Sequence, residues 1–514
     1  MRKLWLLSLA LVAGRQVQGQ SYLRDNLFNY NLPTATINVR DLALYKDKRL
    51  LIAGEFHAYS SSLGYSKVMR LTPQGTPDAT FTCPVITGGR VNAIAIQPWD
   101  SAIIIAGGFS TVNGIARSGI ARLLPSGVLD ASFNPGSGIT GSSYGDLIIY
   151  TVVIRTTTDP AQRRIIAGGL FTYYNGTAVA YGNGGGLVQL KTDGTLDAAA
   201  LPKVEGAVYH LALDENEKIL AGGEFYRVNG ADIWRFVRIN TDGSTDNTLW
   251  TGRWDGFNST VTSVHVHKGK LYVGGFFTQY RGNTSGRLAR LNADGSYDAS
   301  FNVGTGFTGT AGTPLCTQGY EAKSLAFMSD DRVIVGGNFT ACQGNAAYRI
   351  ARLKTDGSYD PSCLTGAGFD QCITKLLFQG TDDSLVAGGF FNSYRNETQG
   401  TIIRIRKPPT PSLLALGDGD GTNVRPVQDA QAGVYPNPFT AFLRVALAGT
   451  PDGPVQMQLS TTDGRELLSR IVISRRGIVE LRTRELPAAT LLLRVTSATG
   501  ALLHSSMVLC SGGR

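Results

Sequence analysis

Short apolar runs recur along this chain, and seven of them close on a Gly-Phe or Gly-x-Phe phrase. They read LIAGEF at Phe56, IAGGF at Phe109, IAGGLF at Phe171, LAGGEF at Phe225, VGGFF at Phe277, VGGNF at Phe339 and AGGFF at Phe391. The steps between those phenylalanines are 53, 62, 54, 52, 62 and 52 residues, a period that belongs to a repeat architecture. Within the fifth repeat, polar and apolar residues alternate from Val261 to Val266. A second apolar run from Lys270 to Val273 closes on Gly274-Gly275. After the loop QYRGNTSG comes Arg287 to Leu291, then the turn Asn292-Ala293-Asp294-Gly295, then SYDASF. That pattern predicts four short strands per repeat, with no helical periodicity.

The turns carry their own chemistry. Asp193-Gly194, Asp242-Gly243, Asp294-Gly295 and Asp356-Gly357 sit between apolar runs, a strong hairpin signal in which both central residues are expected at positive φ. Gln74-Gly75 and Ser126-Gly127 are weaker versions. An arginine precedes this turn in most repeats (Arg70, Arg122, Arg238, Arg290, Arg352, Arg404), with Gln189 in the odd one. An aspartate follows it: Asp78, Asp130, Asp197, Asp246, Asp298 and Asp360. These charges read as a structural pair reproduced because each unit is built alike, in preference to a ring of ligand-binding charges. The paired glycines predict bulges or close backbone approach. Four strands in seven units predict an all-β, seven-bladed β-propeller. The last repeat lacks the Asp-x-x-Phe tail, which appears at Asp25-Asn26-Leu27-Phe28, so the N-terminal segment is expected to pair near Ile403 and complete the last blade.

The 514 residues, 42% hydrophobic and with 63 glycines, suffice for more than one domain. Residues 1–19 read as a secretory signal peptide: Arg2 and Lys3, the apolar stretch Leu4 to Ala13, and Val17-Gln18-Gly19 for cleavage. That stretch is too short to span a membrane, and no other reaches span length, so no transmembrane segment is expected after signal removal. The propeller is assigned to 20–406. The repeats ending at Phe171 and Phe339 carry insertions, which belong in loops on the faces. Residues 407–433 form a Pro- and Gly-containing linker; its Asp418-Gly-Asp420-Gly run lacks the glycine and glutamate of a calcium loop. Residues 434–514 alternate in short runs with turns about every ten residues, which predicts a small Ig-like β-sandwich.

The IAGGxF, RLxxDGxxD and DxSF elements resemble the bacterial delta-sixty propeller repeat, over about Asp25 to Arg406. The segment with YPNPF at 435–439, DGRELL at 463–468 and GALLHSSMVL at 500–509 resembles the sorting domain of the type IX secretion system of Bacteroidetes. It departs from that family at Leu486-Pro487-Ala488-Ala489-Thr490-Leu491, where Leu-x-x-Gly-x-Tyr is usual. The resemblance implies the type IX secretion machinery as a partner through 434–514. It also implies export through the periplasm, removal of the C-terminal domain, and attachment to the outer-membrane surface or release.

Candidate chemistry is sparse. Cys316 with Cys342 and Cys363 with Cys372 are disulfide candidates in an exported chain, although spacing cannot settle connectivity. His265 and His267 share one strand face without a third ligand nearby, so strand packing is expected rather than metal binding. There is no CxxC, Gly-x-Ser-x-Gly, HExxH or phosphate loop, so no cofactor, metal or catalytic residue is expected. Three residues after the repeat phenylalanines stand Tyr59, Tyr174, Tyr280 and Tyr394, either a ring of aromatics for sugars or peptides or packing between blades, with packing preferred. The run Trp250-Thr-Gly-Arg253-Trp254-Asp255 breaks the repeat and suits glycan or protein contact or core filling equally. The formal charge of +9 includes about +4 from the segment after Tyr435, with nine arginines against five acids, and no dense basic run signals nucleic acid. These readings point to a secreted or cell-surface, non-enzymatic module binding a glycan or protein. The alternative is a secreted polysaccharide-active lyase or hydrolase, which would show an asymmetric cluster of acids, histidine or tyrosine at one mouth.

Overall fold

The computed structural model divides the chain into two compact units, Met1–Pro411 and Ser412–Arg514. It describes residues 22–25, 28 and 37–406 of the first, apart from 57–65, 142–146, 182–183, 201, 250–254, 310–318, 363–367, 381–382 and 399, together with the strands between 433 and 510 of the second. The signal-peptide stretch, most of the linker and the YPNPF motif lie outside the described residues, except for Gly433–Tyr435. No helix among the described residues is long and apolar enough to cross a membrane.

Each repeat builds one main antiparallel sheet, beside which the third, fifth, sixth and seventh carry a short second one. In the fifth, Val261–His267 pairs with Lys270–Gly275, which pairs in turn with Leu288–Leu291. The same first-middle-outer order occurs in each of the other six. The first strands pack on one another in chain order, from Ile37–Leu44 to Ile373–Phe378, and Ile373–Phe378 returns to pack against Ile37–Leu44. Apolar clusters fill the space between successive sheets. One joins Val39, Leu42 and Ile52 of the first repeat to Val386 and Ile402 of the seventh, with Phe28 beside them. Each such fully buried aliphatic side chain contributes about 1.5–3 kcal/mol.

Three local features explain the sequence pattern. The first strand of every sheet carries a register shift, as between Ile149 and Thr151 or between Val261 and Ser263. The glycine two residues before the repeat phenylalanine lies against that bulge: a Cβ on Gly169 would sit 2.2 Å from the Ile148 carbonyl oxygen. At the Asp-Gly turns only the glycine takes positive φ, for example +89° at Gly194. The expectation of two left-handed residues is therefore not met. Asp193 stays in an ordinary conformation, and its Oδ1 accepts hydrogen bonds from the Thr195 N–H (2.9 Å) and hydroxyl (2.7 Å). The fourth strand is reduced in six repeats to a single bridge, such as Leu291↔Tyr297. In the seventh it is a strand of its own: Leu23–Arg24 pairs antiparallel with Ile405 and Arg406.

Among the described residues the second unit contains two antiparallel sheets. One orders Gly433–Tyr435, Phe442–Ala446 and Ile478–Arg482. The other orders Glu466–Ser474, Gly453–Thr461, Ala489–Ser497 and Leu502–Cys510. Leu443 and Val445, then Val455, Met457 and Leu459, then Leu491, Leu493 and Val495 are buried with period two, giving each sheet one apolar face.

Candidate functional site

The recurring charges meet in all seven repeats. Arginine Nε donates to aspartate Oδ2 in Arg70–Asp78 (2.7 Å), Arg122–Asp130 (2.7 Å), Arg238–Asp246 (2.8 Å), Arg290–Asp298 (2.8 Å) and Arg352–Asp360 (2.8 Å). The seventh pair is Arg404 with the N-terminal Asp25, at 2.7 Å. In the third repeat Gln189 leaves a gap that Arg164, on the neighbouring strand, fills by reaching Asp197 at 2.6 Å. The second arm of the guanidinium crosses to the turn of the following repeat. Arg238 Nη1 donates to the Ala293 carbonyl (2.6 Å) and Arg290 Nη1 to Thr355 (3.0 Å). Arg404 Nη1 returns to Pro73 of the first repeat (2.7 Å). Arg70 and Arg122 make the same step to Pro125 and Thr192. Burial pushes the Asp78 carboxyl up, but hydrogen bonds from Thr80, Arg70 and Arg49 outweigh it and hold the group well below its ordinary 3.8. These charges are consumed in joining repeats.

The tyrosines are consumed as well. Tyr174 and Tyr280 are fully buried, and their hydroxyls donate to the carbonyls of Gly194 (2.8 Å) and Gly295 (2.7 Å) in the turn of their own repeat. Burial pushes the Tyr280 phenol up to about 12. Tyr394 is buried, and its hydroxyl donates to the Tyr22 carbonyl at 3.0 Å, the N-terminal segment replacing the missing turn. In the fourth and sixth repeats, where no tyrosine stands, the next residue does this work: Asn229 Nδ2 to Gly243 (3.0 Å) and Gln343 Nε2 to Gly357 (2.7 Å). The three tyrosines therefore present no ring face to a ligand. Tyr59, Trp250, Arg253 and Trp254 lie outside the described residues.

Cys342, at the tyrosine position of the sixth repeat, is a buried free thiol, pushed up to about 12 by burial. The expected Cys316–Cys342 bridge is not made; Cys316 lies outside the described residues. Cys372 is disulfide-bonded, and Cys363 lies outside the described residues. His267 Nε2 stands 3.0 Å from Asp331 Oδ1, and its ring stacks on Phe327 at 4.3 Å. His265 lies 5.4 Å from the His210 ring. Among the described residues no group of three or more His, Cys, Asp or Glu side chains is placed to hold a metal ion.

Side chains that sequence reasoning passed over lie at the bulges. Just past them, polar groups reach from one first strand to the next. Asp41 Oδ2 accepts from the Ile94 N–H (3.0 Å), Thr151 Oγ1 from Leu211 (3.1 Å) and His210 Nδ1 from Val264 (3.3 Å). Lys375 Nζ meets Asp41 Oδ1 at 3.0 Å, between the seventh repeat and the first. The residues skipped by the bulges, and those beside the repeat phenylalanines, differ from repeat to repeat. Arg40 pairs with Glu55 (2.8 Å), with Arg90 at 3.8 Å from the same carboxylate. Tyr150 meets Tyr209 edge-on at 5.1 Å, and the Tyr209 hydroxyl donates to Glu224 Oε2 at 3.3 Å. Beyond them, the Tyr226 hydroxyl donates to Glu205 (2.7 Å), Tyr226 lies 6.4 Å from Trp234, and Arg235 lies 4.9 Å over Trp234.

This cluster offers aromatic faces interleaved with carboxylates and guanidinium groups. Burial first, and then the Glu224 charge, push the Tyr209 phenol up, which keeps its hydroxyl a hydrogen-bond donor. One signal was available in the sequence. The residue just before each repeat phenylalanine reads Glu55, Gly108, Leu170, Glu224, Phe276, Asn338 and Phe390, variable where its surroundings are periodic.

Six segments, residues 46–81, 100–133, 163–199, 216–249, 269–301 and 329–362, match a family model described as a domain of unknown function (DUF5122) beta-propeller. No curated protein matches. Similar solved structures include a fungal alcohol oxidase of the AA5 family in complex with copper, 13% identical, covering 96% of this chain and 100% of its own, with a TM-score of 0.36. PorZ, a surface component of the type-IX secretion system of Porphyromonas gingivalis, is 12% identical, covers 93% and 81%, and has a TM-score of 0.23. YCF48 bound to D1 peptide is 12% identical, covers 76% and 99%, and has a TM-score of 0.33. With one main antiparallel sheet per repeat and the family model returning six times, the chain is an all-β protein of the β-propeller kind.

Proposed function

We propose that this propeller has seven blades and works as a secreted or cell-surface binding module whose ligand sits at the bulge-side mouth. The reading assigns 1–19 to a signal peptide, 20–406 to the propeller of the delta-sixty type, 407–433 to a linker and 434–514 to an Ig-like type IX sorting domain. The ligand is a glycan or a surface protein. Cys363 is proposed as the partner of Cys372. The observation that carries the binding reading is the contrast within each repeat. Charges and tyrosines that obey the period are spent on the fold, whereas Tyr209, Glu224, Tyr226 and Trp234 break it and lie together. Aromatic faces beside paired acids and bases suit stacking on sugar rings and hydrogen bonding to hydroxyls.

Glycan-array binding of the full chain tests this. Trp234→Ala and Tyr226→Ala are expected to weaken capture while leaving the melting temperature near that of the parent. Unchanged capture in both variants would remove this mouth from consideration. The acids around Tyr209 favour one second reading, a polysaccharide lyase or hydrolase. That reading requires new reducing ends from a polysaccharide, lost in Glu224→Gln; binding without product separates the two.

A further inference from the structure

In four repeats one residue occupies the same backbone frame. Its N–H donates to the carbonyl of the repeat phenylalanine, and its own carbonyl accepts from the glycine two residues before that phenylalanine. The frame holds Gly119 (2.9 and 2.9 Å), Arg235 (2.9 and 2.9 Å), Arg287 (3.0 and 3.1 Å) and Arg349 (2.8 and 3.1 Å). All four are left-handed, with φ of +77° at Gly119, +67° at Arg235, +72° at Arg287 and +67° at Arg349. Glycine takes this conformation freely and arginine does not. Three consecutive repeats, the fourth to the sixth, thus hold arginine in a strained position that the second repeat fills with glycine.

The fold recovers little in return. Arg235 Nη1 donates to the Phe257 carbonyl at 3.0 Å, which ties one loop. Arg287 Nε and Arg349 Nε and Nη1 are buried atoms with no hydrogen-bond partner among the described residues, and Arg349 as a whole is 6% exposed. Asp370, the acid near Arg349, already accepts from the Asn392 and Ser393 N–H groups, both at 2.9 Å. Two of the guanidinium groups also have an aromatic neighbour, Trp234 at 4.9 Å from Arg235 and Tyr320 at 5.5 Å from Arg287, and the exposed Tyr348 precedes Arg349 in the chain. Because the frame is the same, the three arginines lie at equivalent positions in successive repeats.

We propose that this arc selects an acidic polysaccharide of the polyuronate class, with the guanidinium groups taking its carboxylates and the aromatic rings its sugar faces. The proposal rests on the binding-module reading and names the ligand class for it. A planar guanidinium fork matches a carboxylate in two hydrogen bonds, which a compact ammonium does not. Three equivalent positions on consecutive sheets suit a polymer with a regularly repeated charge.

The test uses the full chain, polygalacturonate, and polygalacturonate methyl ester, which keeps the backbone and removes the charge. Binding to the acid form but not to the ester is expected. Arg287→Gly should weaken it about tenfold, the loss of one charged hydrogen-bonded contact. The melting temperature should hold or rise, because glycine relieves the strained φ. Equal binding of acid and ester would overturn the acidic class while leaving a glycan-binding module standing. Equal binding of polyglutamate and polygalacturonate would overturn the sugar. Binding to neutral glycans on an array with none to polygalacturonate would overturn this inference alone, and no binding to any glycan would overturn it together with the glycan form of the binding reading. Undiminished binding in Arg287→Gly and in the Arg287→Gly/Arg349→Gly double variant would sink the arc.

Discussion

Two sets of arginines divide this propeller. Those before the turns lie in strands, each locked to an aspartate of its own blade and, where the next turn offers a carbonyl, to the following blade. Arg235, Arg287 and Arg349 sit at left-handed φ, and among the described residues Arg287 Nε and Arg349 Nε and Nη1 have no hydrogen-bond partner. The same side chain is architectural where it follows the period and available where it leaves it. The third repeat makes the point from the other side: Gln189 breaks the sequence pattern, yet Arg164 restores the guanidinium to the same aspartate. The requirement is a charge at a place in space.

The comparison is broken most severely at the closing seam. Arg404→Ala strips Asp25, which is 2% exposed, of its nearest cation and removes the shorter of two hydrogen bonds to the Pro73 carbonyl, leaving that from Gln379 Nε2 at 3.3 Å. Removing one partner of such a buried pair is expected to cost about 3–5 kcal/mol, read as a fall in the urea midpoint. Gly194→Ala comes next. Its φ of +89° and the Phe133 ring 3.0 Å from a new Cβ should together cost about 2–3 kcal/mol. The control Gly282→Ala, at φ +75° with open space around it, should lose only about 1 kcal/mol.

Acid separates the clamps from the axis. The Asp78 carboxyl is held below 3.8, so that clamp's contribution persists until pH falls below the ordinary carboxylate range. His265, enclosed by protein and facing the positive charge of Lys375, is depressed from 6.5 to about 3, and burial with the His265 ring keeps His210 low as well. The unfolded chain binds the His265 proton near pH 6.5, whereas the fold resists until about 3. Stability should therefore fall as pH drops through that window, by at most about 1.4 kcal/mol per pH unit for each histidine. Urea midpoints at stepped pH, repeated on His265→Gln, check this; an unchanged slope in the variant would assign the acid sensitivity elsewhere. The smallest effect is expected from Tyr280→Phe, about 1 kcal/mol for the hydrogen bond to Gly295, with glycan capture unchanged.

Much of the sheet plan was legible because backbone geometry imposes it on every repeat. Glycine pairs mark where the first strand bulges, and in five repeats the arginine before the turn finds its aspartate eight residues on. Tyr174 was harder to place. Its spacing was visible, but the partner that buries it is a backbone carbonyl, which carries no residue signature. Cys342 shows the same limit: it occupies a tyrosine position, so its burial follows from the blade and not from a sulfur partner. The mouth was least legible, because Tyr150, Tyr209 and Glu224 come together only after three strands from two repeats are registered and bulged.

The Asp25–Arg404 contact joins positions 379 residues apart. A polypeptide delivered amino end first must hold its opening strand in reserve until nearly the whole toroid has emerged. Until then the outer edge of the final sheet stays bare, able to recruit any extended segment it meets. Completion of the final sheet is thus a late event, and prying loose a handful of residues at the start would unlatch the circle at its far end.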